Sequence, residues 1–163
     1  MKKVIVTILA MVAFATAASA QNCLGARVLV DYDADLNLGA ELSFQHGFSD
    51  ANRLELDFGW QGHAHHTELS ATGVYQWTFP IVGNLGWYVG VGGNIGIWAS
   101  DNYTDVTLSV VGQGGIEYKF DAVPIKLSFD YRPMAYLIFP DNHYPNAARI
   151  HYGALAFSAR WCF

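Results

Sequence analysis

The residues after position 24 alternate between apolar side chains and polar or glycine side chains in one segment after another. The segment 53–60 is typical, with Leu54, Leu56, Phe58 and Trp60 alternating with Arg53, Glu55, Asp57 and Gly59. Successive side chains of a β-strand point to opposite faces, so a repeat of two residues indicates a strand with one apolar and one polar face. The pattern predicts an all-β fold.

Eight strands are predicted in this way, over 24–32, 38–45, 53–60, 67–79, 85–98, 106–120, 125–132 and 150–163. Turn-forming residues separate them, and only the connection 133–149 is long. Short connections between long neighbouring strands indicate an antiparallel meander. No helix is needed after the N-terminal segment.

Residues 1–20 have the three zones of a secretory signal peptide: Lys2 and Lys3, an apolar run over 4–17, and Ala18-Ser19-Ala20. The apolar run is shorter than the roughly 20 residues that a membrane-spanning helix needs. We therefore expect cleavage after Ala20 and a mature domain over 21–163. Cys23 raises the alternative of a lipoprotein, but the residues 20–22 do not resemble a lipobox.

The charge balance disfavours nucleic acid as a partner. Without Lys2 and Lys3, seven basic residues remain against fourteen acidic ones, a formal net charge of −7. Nucleic-acid-binding proteins instead present clustered basic residues to the phosphate backbone. The mature part contains no linker, charge block or low-complexity tract, so we expect one domain.

Alternation alone does not distinguish a membrane barrel from a soluble lipocalin-like barrel, whose apolar set faces inward. Strand length favours the membrane, because strands of about ten residues span the roughly 25 Å apolar band of an outer-membrane barrel. Strands of soluble proteins average about five or six residues. Aromatic residues of the apolar set also gather near strand ends, as in interfacial girdles. They are Phe58, Trp60, Tyr75, Trp77, Phe79, Trp87, Tyr118, Phe120, Phe129 and Tyr131.

The last predicted strand ends on an aromatic residue. Counting back by twos gives Phe163, Trp161, Ala159, Phe157, Leu155 and Gly153. This resembles the C-terminal assembly signature of bacterial outer-membrane β-barrels. Over its mature length the chain resembles the small eight-stranded members, such as the OmpX and OmpA barrels.

That resemblance implies an eight-stranded antiparallel up-and-down transmembrane β-barrel in the bacterial outer membrane, following an N-terminal signal peptide. It also implies a monomer whose partners are outer-membrane lipid and, during biogenesis, the barrel-assembly machinery and periplasmic chaperones.

If the apolar set faces lipid, the other set turns charged side chains into the lumen. The predicted interior charge network consists of Arg27, Glu41, Glu55, Asp57, Glu68, Glu117, Lys126, Asp130, Arg132 and Arg160. The lumen of an eight-stranded barrel is just wide enough for side chains to fill it. We therefore expect these charges to pair and to leave no open pore.

Glycine is concentrated on the inward set of one strand, at Gly86, Gly90, Gly92 and Gly96. The missing side chains either make room for long groups from opposite strands or line a small cavity that could hold a ligand.

The two cysteines lie at the two ends of the predicted barrel sequence. Cys23 precedes the first strand and Cys162 ends the last. Lipid offers no hydrogen-bond partners, so the first and last strands must pair, and with an even strand number both termini lie at one end. In an oxidising compartment this predicts a Cys23–Cys162 disulfide. Two unpaired thiols are the alternative, because the strand register is not known from the sequence.

Two segments carry residues that could support chemistry. The segment His143-Tyr144-Pro145-Asn146-Ala147 resembles the His-x-Ser-Asn-Ala stretch of outer-membrane lipid A deacylases, but proline occupies the nucleophile position and no acid follows Asp141. The segment His63-Ala64-His65-His66 has close histidines of the kind that bind Zn or Cu, without a cysteine or acid at suitable spacing.

We therefore expect no catalytic residues, no metal and no cofactor. The expected function is a structural or surface-interaction role in the outer membrane. A lipid-binding or lipid A-modifying outer-membrane enzyme, and a soluble secreted lipocalin-like binding barrel, remain alternatives.

Overall fold

The computed structural model describes residues 22–31, 37–62, 67–99, 104–138, 150–152 and 155–163. The predicted signal peptide, residues 1–20, lies outside these ranges. In the ranges described, no helix is long and apolar enough to cross a membrane. The strands there are β1 (Asn22–Asp31), β2 (Asn37–Gly47), β3 (Asn52–Gly62), β4 (Thr67–Val82), β5 (Leu85–Ala99), β6 (Thr104–Lys119), β7 (Ile125–Tyr131), β8 (Met134–Ile138), β9 (Ile150–His151) and β10 (Leu155–Cys162).

All of these strands belong to one antiparallel sheet that closes on itself. The order β5-β4-β3-β2-β1-β10-β7-β6 is completed by pairing of β5 with β6. Strands β7 and β8 follow one another and both pair with β6. In the same way, β10 pairs with β7 and β9 pairs with β8. Each of these pairs of segments forms one barrel strand, so the barrel is eight-stranded, as predicted.

The connection predicted over 133–149 is shorter than expected, because β8 occupies part of it. Pro133 lacks an N–H and interrupts the seventh barrel strand, but its carbonyl still accepts a hydrogen bond from the Gly112 N–H at 3.0 Å. Pairing with β6 resumes at Met134. The last strand, predicted over 150–163, is likewise divided into β9 and β10.

The apolar set predicted from sequence lies on the outer face of the barrel, and the polar set lies on the inner face. The outward side chains include Leu42, Phe58 and Phe157, which are 56%, 60% and 51% exposed. The inward side chains are mainly polar, and Arg27, Glu55, Asp130 and Arg160 are fully buried. An apolar exterior around a charged interior is the arrangement of a membrane barrel and the inverse of a soluble one.

Both described chain ends lie at one end of the barrel, which we call the terminal end. Asn22 and Phe163 exchange backbone hydrogen bonds of 3.3 and 2.8 Å there. The turns 48–51, 83–84 and 120–124 lie at the same end. The segments 32–36, 63–66, 100–103 and 139–149, which connect the strands at the opposite end, are outside the described residues.

Outward aromatic rings form clusters near the terminal end. Phe79 stacks on Trp87 with ring centroids 4.6 Å apart, and Tyr118 packs edge-on against Phe120 at 4.9 Å. Phe129 and Tyr131, which were predicted to lie near a strand end, instead lie within a barrel strand because β8 extends it.

Gly92 is a position of close strand approach. A Cβ atom there would lie 1.9 Å from the carbonyl oxygen of Gly73 on β4. The next residue, Gly93, faces outward, and a Cβ on it would meet nothing closer than the Ser109 carbonyl oxygen at 3.6 Å.

We expect Gly92→Ala to lower the free energy of unfolding by about 1–3 kcal/mol, because the strands must separate locally to admit the methyl group. Gly93→Ala is the matched control, with an expected change within about 0.5 kcal/mol. Urea unfolding of the vesicle-inserted protein, followed by tryptophan fluorescence, measures both. Equal losses in the two variants would contradict this account.

Candidate functional site

The candidate site is the cluster of charged side chains across the middle of the lumen. Period-two alternation directs the side chains inward, and the register sets their height. Arg27 on β1 pairs in register with Glu41 on β2, and Ser43 on β2 with Asp57 on β3. The first of these register pairs brings a basic and an acidic group together on neighbouring strands.

Glu55 on β3 is the centre of this cluster. Its carboxylate accepts hydrogen bonds from the guanidinium groups of Arg27 at 3.2 Å, Arg132 at 2.9 Å and Arg160 at 2.9 Å. Amide groups of Gln45 and Gln113 donate to it at 2.6 and 2.9 Å. Multiple charge-assisted hydrogen bonds of this kind compensate the desolvation of a buried carboxylate.

Arg27 also joins the cluster to β7. Its two terminal nitrogens donate to the two carboxylate oxygens of Asp130, both at 2.9 Å, in a bidentate pair. Its Nε lies 2.9 Å from an oxygen of Glu41. Arg132 lies 3.3 Å from the same Glu41 oxygen and also pairs with Asp57.

Uncharged polar side chains complete the cluster. The Tyr88 hydroxyl donates to Asp130 at 2.9 Å, and the Gln76 amide donates to Gln113 at 2.7 Å. Arg160 donates to the hydroxyls of Ser43 and Ser128 at 2.9 and 2.8 Å. The uncharged members were not part of the network predicted from sequence, although they lie on the inward set of their strands and that alternation was the available signal. They are Ser43, Gln76, Tyr88, Gln113 and Ser128.

Three of the predicted network residues lie away from the central cluster. Glu117 and Lys126 lie near the terminal end, where Glu117 pairs with Arg53 at 2.6 Å and lies 3.9 Å from Lys126. Glu68 lies toward the opposite end, in register with Gln61 and Trp98 on the neighbouring strands. The lumen therefore contains a central cluster and separate charged groups toward each end.

The Cys23–Cys162 disulfide joins β1 to β10 at the terminal end. The residues are a register pair with Cα atoms 4.0 Å apart and a sulfur–sulfur distance of 2.05 Å. The neighbouring pair, Asn22 and Phe163, exchanges both backbone hydrogen bonds, so the cysteines occupy the closer, non-hydrogen-bonded type of pair. Both cysteines are buried on the inner face.

Solved structures share this architecture. Neisserial surface protein A has a TM-score of 0.65 at 12% identity, over 87% of this chain and 96% of that one. The N-terminal β-barrel domain of Pseudomonas aeruginosa OprF has a TM-score of 0.61 at 12% identity, over 89% and 100%. Ail, the attachment invasion locus protein of Yersinia pestis, has a TM-score of 0.55 at 11% identity, over 88% and 97%.

The chain has the fold of the small outer-membrane β-barrels. At these identities the likeness concerns the fold. No protein-family model matches the sequence, and no curated protein matches it significantly.

The last strand of this outer-membrane barrel fold has its apolar set outward. Phe157 and Trp161 are 51% and 54% exposed, whereas Ser158, Arg160 and Cys162 are buried inside. Leu155 and Phe163 are partly exposed, and Ala159 faces outward. Gly153, the first residue of the predicted assembly signature, is outside the described residues.

The inward glycines of the barrel's fifth strand are packed against neighbouring groups. A Cβ atom on Gly90 would lie 2.7 Å from Cγ1 of Val74, and one on Gly96 would lie 2.5 Å from the Thr107 hydroxyl. The space beside Gly90 and Gly96 is therefore occupied by side chains of adjacent strands, whereas Gly92 packs against the backbone of β4. The two candidate chemical segments, 63–66 and 143–147, are outside the described residues.

Proposed function

We propose that this protein is a closed, non-catalytic barrel of the bacterial outer membrane with a structural or surface-interaction role. The observation that carries the proposal is the central cluster around Glu55. Guanidinium groups from β1, from the β7–β8 junction and from β10 converge on this one carboxylate of β3.

All eight barrel strands contribute to the cluster. The uncharged members Gln76, Tyr88 and Gln113 extend it to β4, β5 and β6, and Glu41 extends it to β2. Since these side chains bond across the lumen, a hydrated ion would have to break several charge-assisted hydrogen bonds to pass. This supports a filled interior and disfavours a porin role.

The terminal end is assigned to the periplasm in this proposal. Outer-membrane barrels have short periplasmic turns and longer exterior loops, and the terminal end has the turns 48–51, 83–84 and 120–124. The connections at the opposite end would then be presented outside the cell, and the longest of them includes 139–149. Surface interaction would depend on these four connections.

The charge of these connections restricts the kind of surface partner. The segments 32–36, 63–66, 100–103 and 139–149 contain four aspartates and one arginine. One of the structurally similar proteins, Ail, has been solved in complex with the heparin analogue sucrose octasulfate. The acidic excess of the present chain disfavours a sulfated polyanion as its own partner.

Biogenesis partners follow from the same proposal. The outward apolar set of the last strand, with Phe157, Trp161 and Phe163, supports recognition by barrel-assembly machinery, preceded by periplasmic chaperones. The surrounding partner of the mature barrel would be outer-membrane lipid. We propose a monomer, since barrel closure uses both edges of the sheet.

Fractionation of cells expressing the full chain tests the location. The proposal expects recovery with outer membranes, loss of residues 1–20 by mass, and different electrophoretic mobility before and after boiling. Recovery in the soluble periplasm would contradict it.

Single-channel recording tests the closed interior. In a planar bilayer the purified barrel is expected to give no conductance steps above the bare membrane. The double variant Glu55→Ser/Arg132→Ser, which removes bonds across the lumen, is expected to give small steps if it inserts. A conventional porin reconstituted in the same way is the positive control. Regular steps from the unmodified protein would contradict a filled lumen.

A further inference from the structure

A cavity of about 170 Å³ opens in the lumen at the terminal end, separate from the central cluster. A single water needs only about 10–15 Å³ of such space, so a small hydrated ion fits. Its wall includes Gly47, Arg53, Thr78, Glu117, Lys119 and Lys126.

The charge of this wall is opposite in sign to that of the whole protein. Three basic side chains, Arg53, Lys119 and Lys126, face two acidic ones, Asp50 and Glu117. Over the full chain, fourteen acidic residues outnumber nine basic ones. The cavity is therefore a local basic site in an acidic protein, and its field favours an anion.

Arg53 is held in place by three contacts. Its Nε donates to Gln76, its Nη1 donates to Glu117 at 2.8 Å, and its guanidinium lies 4.7 Å from the ring centroid of Tyr88. Its Nη2 is buried and has no hydrogen-bond partner among the described residues. A buried donor left without an acceptor costs about 1–3 kcal/mol, so this group favours an additional acceptor.

Lys126 supplies a second positive charge at the same wall. It is 8% exposed, and its Nζ lies 3.9 Å from Glu117, whose carboxylate is already engaged by Arg53 at 2.6 Å. The single carboxylate of Glu117 therefore lies close to two positively charged groups, Arg53 and Lys126, and it neutralises only one of the two charges. The unpartnered Nη2 of Arg53 and the ammonium of Lys126 are both positively charged N–H donors, and such donors are suited to phosphate oxygens.

We propose that the cavity at the terminal end is a binding site for a phosphate group, held by Arg53 and Lys126. The group is either free phosphate or the phosphate of a phospholipid headgroup entering from the membrane surface. The site is independent of the surface-interaction role, because it lies at the end opposite the four connections on which surface interaction would depend.

The test uses the full mature barrel in micelles of dodecyl maltoside, whose headgroup carries no phosphate, with backbone amide shifts recorded by NMR. Inorganic phosphate is titrated at constant ionic strength, with sodium chloride as the control salt. We expect saturable shifts confined to the amides around Gly47, Thr78 and Lys126. The same shifts in these micelles after addition of phosphatidylglycerol, without inorganic phosphate, would instead assign the site to a lipid headgroup. No saturable shift in either experiment, or equal shifts with chloride, would overturn the proposal.

Variants link the shifts to the proposed side chains. Lys126→Gln is expected to weaken binding of whichever ligand gives the shifts, inorganic phosphate or phosphatidylglycerol, at least tenfold. As the control, Arg149→Gln removes one positive charge from the connection 139–149, at the opposite end, and is expected to weaken binding less than threefold. Arg53→Lys keeps the charge and removes the unpartnered Nη2 donor, so it provides a second test if Lys126→Gln does not fold. Unchanged affinity in both Lys126→Gln and Arg53→Lys would overturn the proposal.

Discussion

The variant Glu55→Gln is expected to lose about 3–5 kcal/mol of unfolding free energy, the cost of removing one partner from a buried ion pair. Three guanidinium groups, from Arg27, Arg132 and Arg160, donate to the Glu55 carboxylate. Arg160 is the most affected, because its other hydrogen bonds go to uncharged hydroxyls. The variant therefore leaves a buried positive charge without a close counter-charge.

Urea unfolding in lipid vesicles, followed by tryptophan fluorescence, measures this loss. The matched control is Glu68→Gln, the same substitution at an inward carboxylate that lies toward the opposite end, in register with Gln61 and Trp98, where the expected change is below about 1 kcal/mol. If both variants unfold at the same urea concentration, the central cluster does not contribute in the way described.

Removal of the disulfide is the second large expected effect. In the chain-entropy model, a crosslink between residues separated by 139 positions stabilises the fold by up to about 5 kcal/mol, acting on the unfolded chain. The double variant Cys23→Ser/Cys162→Ser should therefore still fold, since the β1–β10 ladder from Leu24↔Trp161 to Val30↔Leu155 remains. Its unfolding midpoint should be lower.

Reduction of the natural protein should reproduce the shift seen in the double variant, and a reductant should leave the double variant unchanged. Mass analysis after alkylation reports the state of the thiols directly. Alkylation of both cysteines in the folded protein without a reductant would refute the crosslink.

The sequence was sufficient to predict the barrel because one physical rule governs every strand. Alternation assigns Arg27, Glu55 and Arg160 to the inside and Phe157 and Trp161 to the outside without any knowledge of pairing. Closure by the first and last strands follows from the need to satisfy backbone hydrogen bonds in lipid. The disulfide prediction followed from closure, and the register pair Cys23↔Cys162 confirms it.

The partners within the lumen could not be predicted in the same way. Alternation gives the face of a residue but not its height, which depends on the register of every ladder between two strands. Glu55 and Glu68 are both inward carboxylates, yet only Glu55 lies level with the three arginines. For the same reason, the sequence could not show that Glu117 and Lys126 lie near the terminal end and not in the central cluster.

The division of the seventh barrel strand was missed for a local reason. Pro133 is a strong signal for the end of a strand, since it cannot donate to a ladder. In the barrel it interrupts the strand for only two residues, because the neighbouring strand β6 is long enough to pair with both β7 and β8. The sequence around Pro133 does not show how long the neighbouring strand β6 is, so the continuation into β8 could not be predicted from it.

The pairing of β1 with β10 also sets a time scale for folding. At a synthesis rate of about 5–20 residues per second, the 139 positions between Cys23 and Cys162 take roughly 7–28 s to be made. Throughout that interval, the edge of β1 that will pair with β10 has no partner. Strands with such unpaired edges tend to associate with other chains. The barrel can close only after β10 is present, so the edge of β1 that faces β10 must remain unpaired for at least as long as synthesis of the intervening residues lasts.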